Sequence, residues 1–187
     1  MKRLALAALL AFAGCDGGSP GVTTDSGTPM TDGGGGGGGN EDNFIALVAD
    51  FEGWQQWQHY DLGYEAPDEV HLGGNRTVFI NHLPPHAVTT FPVKTIIVKE
   101  VVPDDGGTPQ VFAMSKRGGD YNPVGAIGWE WLELTWNTDP VVIAWRGISP
   151  PANTGYGTIP SGACNHCHKG GAANDFVQDV PLQLTNF

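Results

Sequence analysis

Residues 95–102 read TIIVKEVV, and the fold class turns on how that run is read. It is short, rich in Thr, Ile and Val, and closed by Pro103 and Asp104, which is the composition of a strand ending in a turn. A period of two places Thr95, Ile97, Lys99 and Val101 on one face and Ile96, Val98, Glu100 and Val102 on the other. Both faces are largely apolar, so each has something to cover it. RTVFIN (76–81), QVFAMSKR (110–117), WEWLELTW (129–136) and VVIAWRG (141–147) share the texture, and Gly, Pro, Asp and Asn separate them. DDGGTP (104–109) lies between two of these runs and reads as a hairpin connection. Ahead of them, FIALVADFEGWQQWQHY (44–60) reads as a helix, with Phe44, Leu47, Val48, Phe51, Trp54 and Trp57 at helical spacings. The expected fold is mainly β (α+β), an antiparallel sheet with a few helices and no internal repeat.

Outward from the strands the chain changes character. Its 187 residues, 40% hydrophobic, allow one ordinary domain, and a net charge of −11 argues against nucleic acid as partner. MKRLALAALLAFAGC (1–15) has two basic residues, an apolar run and a small-small-Cys ending, the pattern of a secretory signal peptide. That ending resembles a bacterial lipobox, in which Cys15 is lipidated; plain secretion with cleavage near Ala13 or Gly14 is the alternative. Residues 16–43 include seven consecutive glycines at 33–39 and no apolar periodicity, so they read as a flexible tether spanning roughly 30 Å. The folded domain then occupies 44–187. The expectation is a domain held to a bacterial membrane by lipid on Cys15 alone, in the periplasm or at the cell surface.

Near the end of the chain, CNHCHKG (164–170) holds two of the three cysteines. The spacing C-x-x-C-H is the attachment site of a c-type haem, with Cys164 and Cys167 forming thioethers and His168 ligating the iron. A short-loop Cys164–Cys167 disulfide and half of a Cys/His zinc site are the alternatives. The sixth iron position decides function. Met114 could fill it, or pack as a strand core residue; His59, His71, His82 and His86 could reach it, or lie on polar loops. His166, between the two cysteines, cannot reach the same iron as His168.

The succession RTVFIN, FPVKTIIVKE, AMSKRGGDYNP, GWEWLEL and CNHCHKGGAANDFV resembles the cytochrome P-460 family, which includes the β-type cytochromes c′. The likeness runs from about Trp54 to Val177. It implies a β-rich, usually dimeric monohaem c-type cytochrome whose haem is five-coordinate and open on its distal face. Two departures stand out: Lys94 replaces a frequent Gly, and DYNPVGAIGWEW differs from the usual GYNPEGGDWEW.

Three further residues are candidates for catalysis. The resemblance makes Lys99 the lysine that enzymatic members join covalently to the haem edge. A lysine on such a strand must snorkel, pair or react, and a pair with Glu100 at the end of an edge strand is the structural alternative. Arg76 matches an arginine near the distal face, where it would hydrogen-bond a ligand or a propionate; a surface place at a strand start is its alternative. Glu130, facing with Leu132 and Leu134 and away from Trp129, Trp131 and Glu133, is a candidate proton acceptor. The function expected is oxidation of a small nitrogen substrate such as hydroxylamine, with electrons passed to a redox partner such as another cytochrome. The alternatives are binding of nitric oxide without turnover, and simple electron transfer.

Overall fold

A computed structural model describes residues 43–135, 137–157 and 163–187. The signal peptide, Cys15 and almost all of the tether lie outside the described residues. Six strands make one antiparallel sheet: β1 (Gln58–Glu65), β2 (Gly74–Ile80), β3 (Ile96–Val102), β4 (Gln110–Lys116), β5 (Trp129–Thr135) and β6 (Val142–Gly147). Their order across the sheet is their order in the chain. The five expected runs are β2 to β6, and the DDGGTP turn joins β3 to β4 with Lys99 opposite Phe112. Every neighbour is also the next segment in sequence, so short connections suffice throughout.

Residues 44–60 are not the helix their spacing suggests. They form two short 3-10 turns, Val48–Phe51 and Trp54–Gln56, and then enter β1. Gly53, at φ 67°, takes the left-handed conformation that ends one turn and re-aims the next. Of the apparent helical stripe, Phe51 and Trp54 are buried whereas Leu47 is 61% exposed, so the stripe is not a buried face. β1 is a polar edge strand whose register with β2 shifts between Asp61 and Gly63. Its alternate residues Tyr60 and Leu62 pack on one core cluster.

The two faces of the sheet build two clusters. Val78, Ile80, Ile97, Met114, Trp129 and Trp131 belong to one, and Phe79, Ile96, Val98, Val111, Leu132 and Leu134 to the other. The second cluster is closed by Ala46, Phe51 and Trp54 from the N-terminal turns. The first is covered by the C-terminal segment: helix α1 (Cys164–His168) and 3-10 turns at Lys169–Asn174, Val180–Leu182 and Leu184–Asn186. Val177, Leu182 and Leu184 from that segment are buried against it. Asn174 ties the segment to itself, donating to the carbonyls of Val177 (2.8 Å) and Leu182 (3.1 Å) and accepting from the Leu184 amide (2.6 Å).

Lys94 occupies the turn before β3 at φ 78°. Its amide donates to Lys116 O at 3.0 Å and its carbonyl accepts from Asn81 Nδ2 at 2.9 Å, so the backbone cannot relax out of the left-handed region without losing both bonds. A side chain there costs roughly 1–2 kcal/mol that glycine avoids. Lys94→Gly is therefore expected to raise the unfolding free energy by about 1 kcal/mol in a urea titration, after the entropy that glycine adds to the unfolded chain. A lower midpoint in the variant would contradict this account of the turn.

Candidate functional site

Because side chains alternate along a strand, β3, β4 and β5 present Ile97 and Lys99, Phe112 and Met114, and Trp131 toward the C-terminal segment. These residues form the floor of a cleft with about 570 Å³ of empty space, part of it open to solvent. Ala163, Cys164, Cys167 and His168 of the α1 region make one wall, Val70 and His71 another, and Asp179 a corner. The floor is apolar except for Lys99. Its Nζ lies 2.9 Å from Asp179 Oδ1, and both side chains are largely buried. β3 lies between β2 and β4, so Lys99 is not on an edge strand, and Asp179 of the C-terminal segment is its partner in the cleft.

α1 is a single turn, too short to hold its own shape, and three anchors fix it. Asn165 Oδ1 accepts from Asn122 Nδ2 (2.8 Å), Trp131 Nε1 (2.9 Å) and the Ala126 amide (3.2 Å). Its Nδ2 donates to Asn122 Oδ1 and to Ile148 O, each at 3.0 Å. Gln178 Nε2 donates to the Cys167 carbonyl. His168 Nδ1 lies 2.7 Å from Phe176 O. A carbonyl only accepts, so the ring proton is on Nδ1 and Nε2 keeps its lone pair. Burial pushes the His168 pKa down to about 4, which keeps the ring neutral, and it rests 4.5 Å from the Trp131 ring centre.

The Phe176 carbonyl that sets this tautomer is itself fixed. Asp175, at φ 49°, accepts from the Phe91 amide (2.9 Å) and from Lys116 Nζ (2.7 Å), and its carbonyl accepts from Trp129 Nε1 (2.8 Å). The Phe176 amide donates to Gly171 O at 2.8 Å. Cys164 and Cys167 are free thiols. Burial pushes the Cys164 thiol up to about 12, so it stays protonated, whereas Cys167 is exposed. Chemically, the cleft offers two thiols, the imidazoles of His168 and His71 and an ammonium–carboxylate pair, all on an otherwise apolar lining.

The structure thus brings Cys164, Cys167, His168 and Lys99 together and leaves two other candidates outside. Arg76 is buried in β2 but points its guanidinium at Glu65, the Ala66 carbonyl (3.3 Å) and Asp68 (3.5 Å), holding the loop that carries His71. Glu130 alternates with the cleft residue Trp131, so it faces the other side of the sheet. There it accepts from Arg146 Nε (2.9 Å) and Nη2, with Arg117 at 3.6 Å, and the role of proton acceptor in this cleft does not suit it. Met114 is both core and cleft floor, 5% exposed. Of the histidines, His71 lines the cleft; His59 packs on Phe79, whose cluster lies on the opposite face, and His86 reaches the Phe187 carbonyl. His82 lies in the turn after β2, and His166 is exposed on α1.

Sequence reading missed Asn165, Asp175 and Asp179, the residues that position the motif and engage Lys99. Among the described residues, no three His, Cys, Asp or Glu side chains converge as a site for a bare metal ion. Comparison with family models, curated proteins and solved structures returns no match for this chain.

Gly125 leaves the space that Asn165 fills: a Cβ there would lie 2.2 Å from the Asn165 amide carbon. Gly125→Ala is expected to displace Asn165 and cost about 2 kcal/mol in chemical unfolding. Gly155→Ala, where a Cβ meets nothing within 4 Å, serves as the control with little change. Equal stability of the two variants would mean that the Asn165 bonds do not hold α1.

Proposed function

We propose that this chain is a c-type haem protein, resembling the cytochrome P-460 family, that binds a small nitrogen compound in the cleft and oxidises it, hydroxylamine being the model substrate. The observation that carries the reading is the fixed geometry of Cys164, Cys167 and His168 on one wall of one apolar cleft. The donor set suits a haem. A macrocycle brings four nitrogens of its own, so it needs one protein ligand where a bare ion would need three or more. His168 offers a neutral ring with Nδ1 already engaged by Phe176 O, the arrangement that fixes a ligating imidazole. Cys164 and Cys167 are unpaired thiols available for thioether bonds. Ile97, Phe112, Met114 and Trp131 offer an apolar surface for a flat ring.

When bound, the haem supplies an iron that accepts electrons one at a time. The chain's own groups would hold it: Cys164 and Cys167 through thioether bonds, His168 as ligand to the iron, and Ile97, Phe112, Met114 and Trp131 as apolar contacts for the ring. Lys99 is the residue that would modify the haem edge. The electrons leave to a redox partner protein. An anchor at Cys15 and a homodimer remain parts of the same proposal.

A specific observation favours a second reading, binding of nitric oxide without turnover. Lys99 already has a partner in Asp179, 2.9 Å from its Nζ, so its place in the apolar cleft is accounted for without a bond to the haem edge. The reduced visible spectrum of the purified protein separates the two. A band displaced far to the red of an ordinary c-type haem, which returns to the ordinary position in Lys99→Arg, is expected for the enzyme, along with a tryptic haem peptide joining the 164–168 segment to that of Lys99. An ordinary spectrum with a haem-free Lys99 peptide would leave gas binding or simple electron transfer, and no haem spectrum at all would overturn every one of these readings.

A further inference from the structure

Val70 and His71 reach the cleft from the β1–β2 connection, residues 66–73, and that loop is tied down at several points. Asp68 Oδ1 accepts from the amides of Val70 and His71, each at 2.7 Å. The Leu72 amide donates to Gln110 Oε1 and Gln110 Nε2 donates to Val70 O, both at 3.1 Å. Arg76 adds its contacts to Glu65, Ala66 and Asp68. The result is a rigid wall that carries an imidazole.

The other half of the observation is the state of that imidazole. His71 Nδ1 lies 3.0 and 3.2 Å from the two Asp68 carboxylate oxygens, and its ring meets Phe112 edge-on at 5.6 Å. A carboxylate only accepts, so Nδ1 carries the proton and Nε2 the lone pair. No hydrogen bond occupies Nε2 among the described residues. Burial, then the Lys99 and Arg76 cations, push His71 below its usual pKa against the pull of Asp68, which keeps it neutral at pH 7. Burial alone would raise Asp68; the amides of His71 and Val70, with the imidazole beside it, hold it instead at about 2, so it is a carboxylate there.

We propose that the Asp68–His71 pair is the proton acceptor of the cleft, taking a proton at His71 Nε2 from a bound ligand that carries N–H or O–H bonds. The inference rests on the haem reading above and names the polar group that reads the ligand. In the transfer, the ligand's N–H or O–H bond breaks and its electron pair stays on the ligand. The Nε2–H bond forms, and the Asp68 carboxylate stabilises the imidazolium that results. Before transfer the same lone pair accepts a hydrogen bond. Hydroxylamine can supply one; nitric oxide has no proton to give. The pair therefore selects protic ligands over a diatomic gas, and it does so from a loop that neither the C-x-x-C-H motif nor Lys99 belongs to.

The test measures dissociation constants of hydroxylamine and nitric oxide by visible titration of the purified holoprotein, wild type against His71→Phe and Asp68→Asn. Phe keeps a ring against Phe112, and Asn keeps an oxygen for the two amides, so both variants preserve the loop. Loss of one hydrogen bond to Nε2 predicts hydroxylamine binding weaker by about tenfold in His71→Phe. A smaller loss in Asp68→Asn and nitric oxide affinity unchanged in both variants complete the expected pattern. Equal losses for both ligands, or no loss for hydroxylamine, overturn the inference while leaving the haem assignment intact. Tighter binding of both ligands in His71→Phe, the result if Nε2 itself held the iron, overturns it as well. A wild type that carries no haem overturns this inference and the reading beneath it together.

Discussion

Lys116 Nζ and Asp175 Oδ1 meet at 2.7 Å with both side chains buried, and that ion pair joins the central sheet to the segment that bears the candidate site. Burial works against the Lys116 ammonium, and the Asp175 carboxylate counters it. The Trp129 ring, 5.0 Å from Nζ, lends its electron-rich face to the same cation. Removing one partner of a buried pair typically costs about 3–5 kcal/mol, since the other is left charged and dry. The pair therefore does more than stabilise. It requires one docking of residues 174–177 on the sheet, and through the Phe176 carbonyl that docking determines which nitrogen of His168 carries the proton.

The sheet separates structure from candidate chemistry by the alternation of its strands. On one face Glu130 is neutralised by Arg146 and approached by Arg117, and Arg146 also donates to the Ala46 carbonyl at 2.7 Å, closing the N-terminal turns over an apolar cluster. On the other face the same strands offer Lys99, Phe112, Met114 and Trp131 to the cleft. One residue of shift in β3 or β5 would exchange the two sets, so the register that serves the core also assembles the cleft. Tyr156 extends the cleft side: its hydroxyl donates to Glu133, Trp145 Nε1 lies 3.0 Å from its oxygen, and its ring meets Phe112 edge-on.

The parts of this arrangement that depend on neighbours in sequence were legible, and those that depend on distant partners were not. TIIVKEVV declares a strand through β-branched residues, and the five positions of C-x-x-C-H are enough to place two thiols and an imidazole on one turn. β1 was missed because QHYDLGYE is a polar edge strand in which Tyr60 and Leu62 alternate into one core cluster. Its predecessor looked helical because Gly53 breaks the chain without breaking the apolar spacing. The face occupied by Glu130 could be read from alternation, but not its guanidinium partners, sixteen and thirteen residues away. Asn165 looks like a spacer between two cysteines until Asn122 and Trp131 are folded onto it, and Asp179 is an ordinary acidic residue until Lys99 reaches it.

The account's central claim is that Cys164 and Cys167 hold a haem by covalent bonds while His168 faces its iron. Acid-acetone extraction of the purified protein tests this most directly, because only thioether-bound haem survives it on the polypeptide. The account predicts that haem stays with the wild-type chain and passes into the organic phase, or is never acquired, when both cysteines are replaced by alanine. Haem passing wholly into the organic phase from the wild type would contradict it.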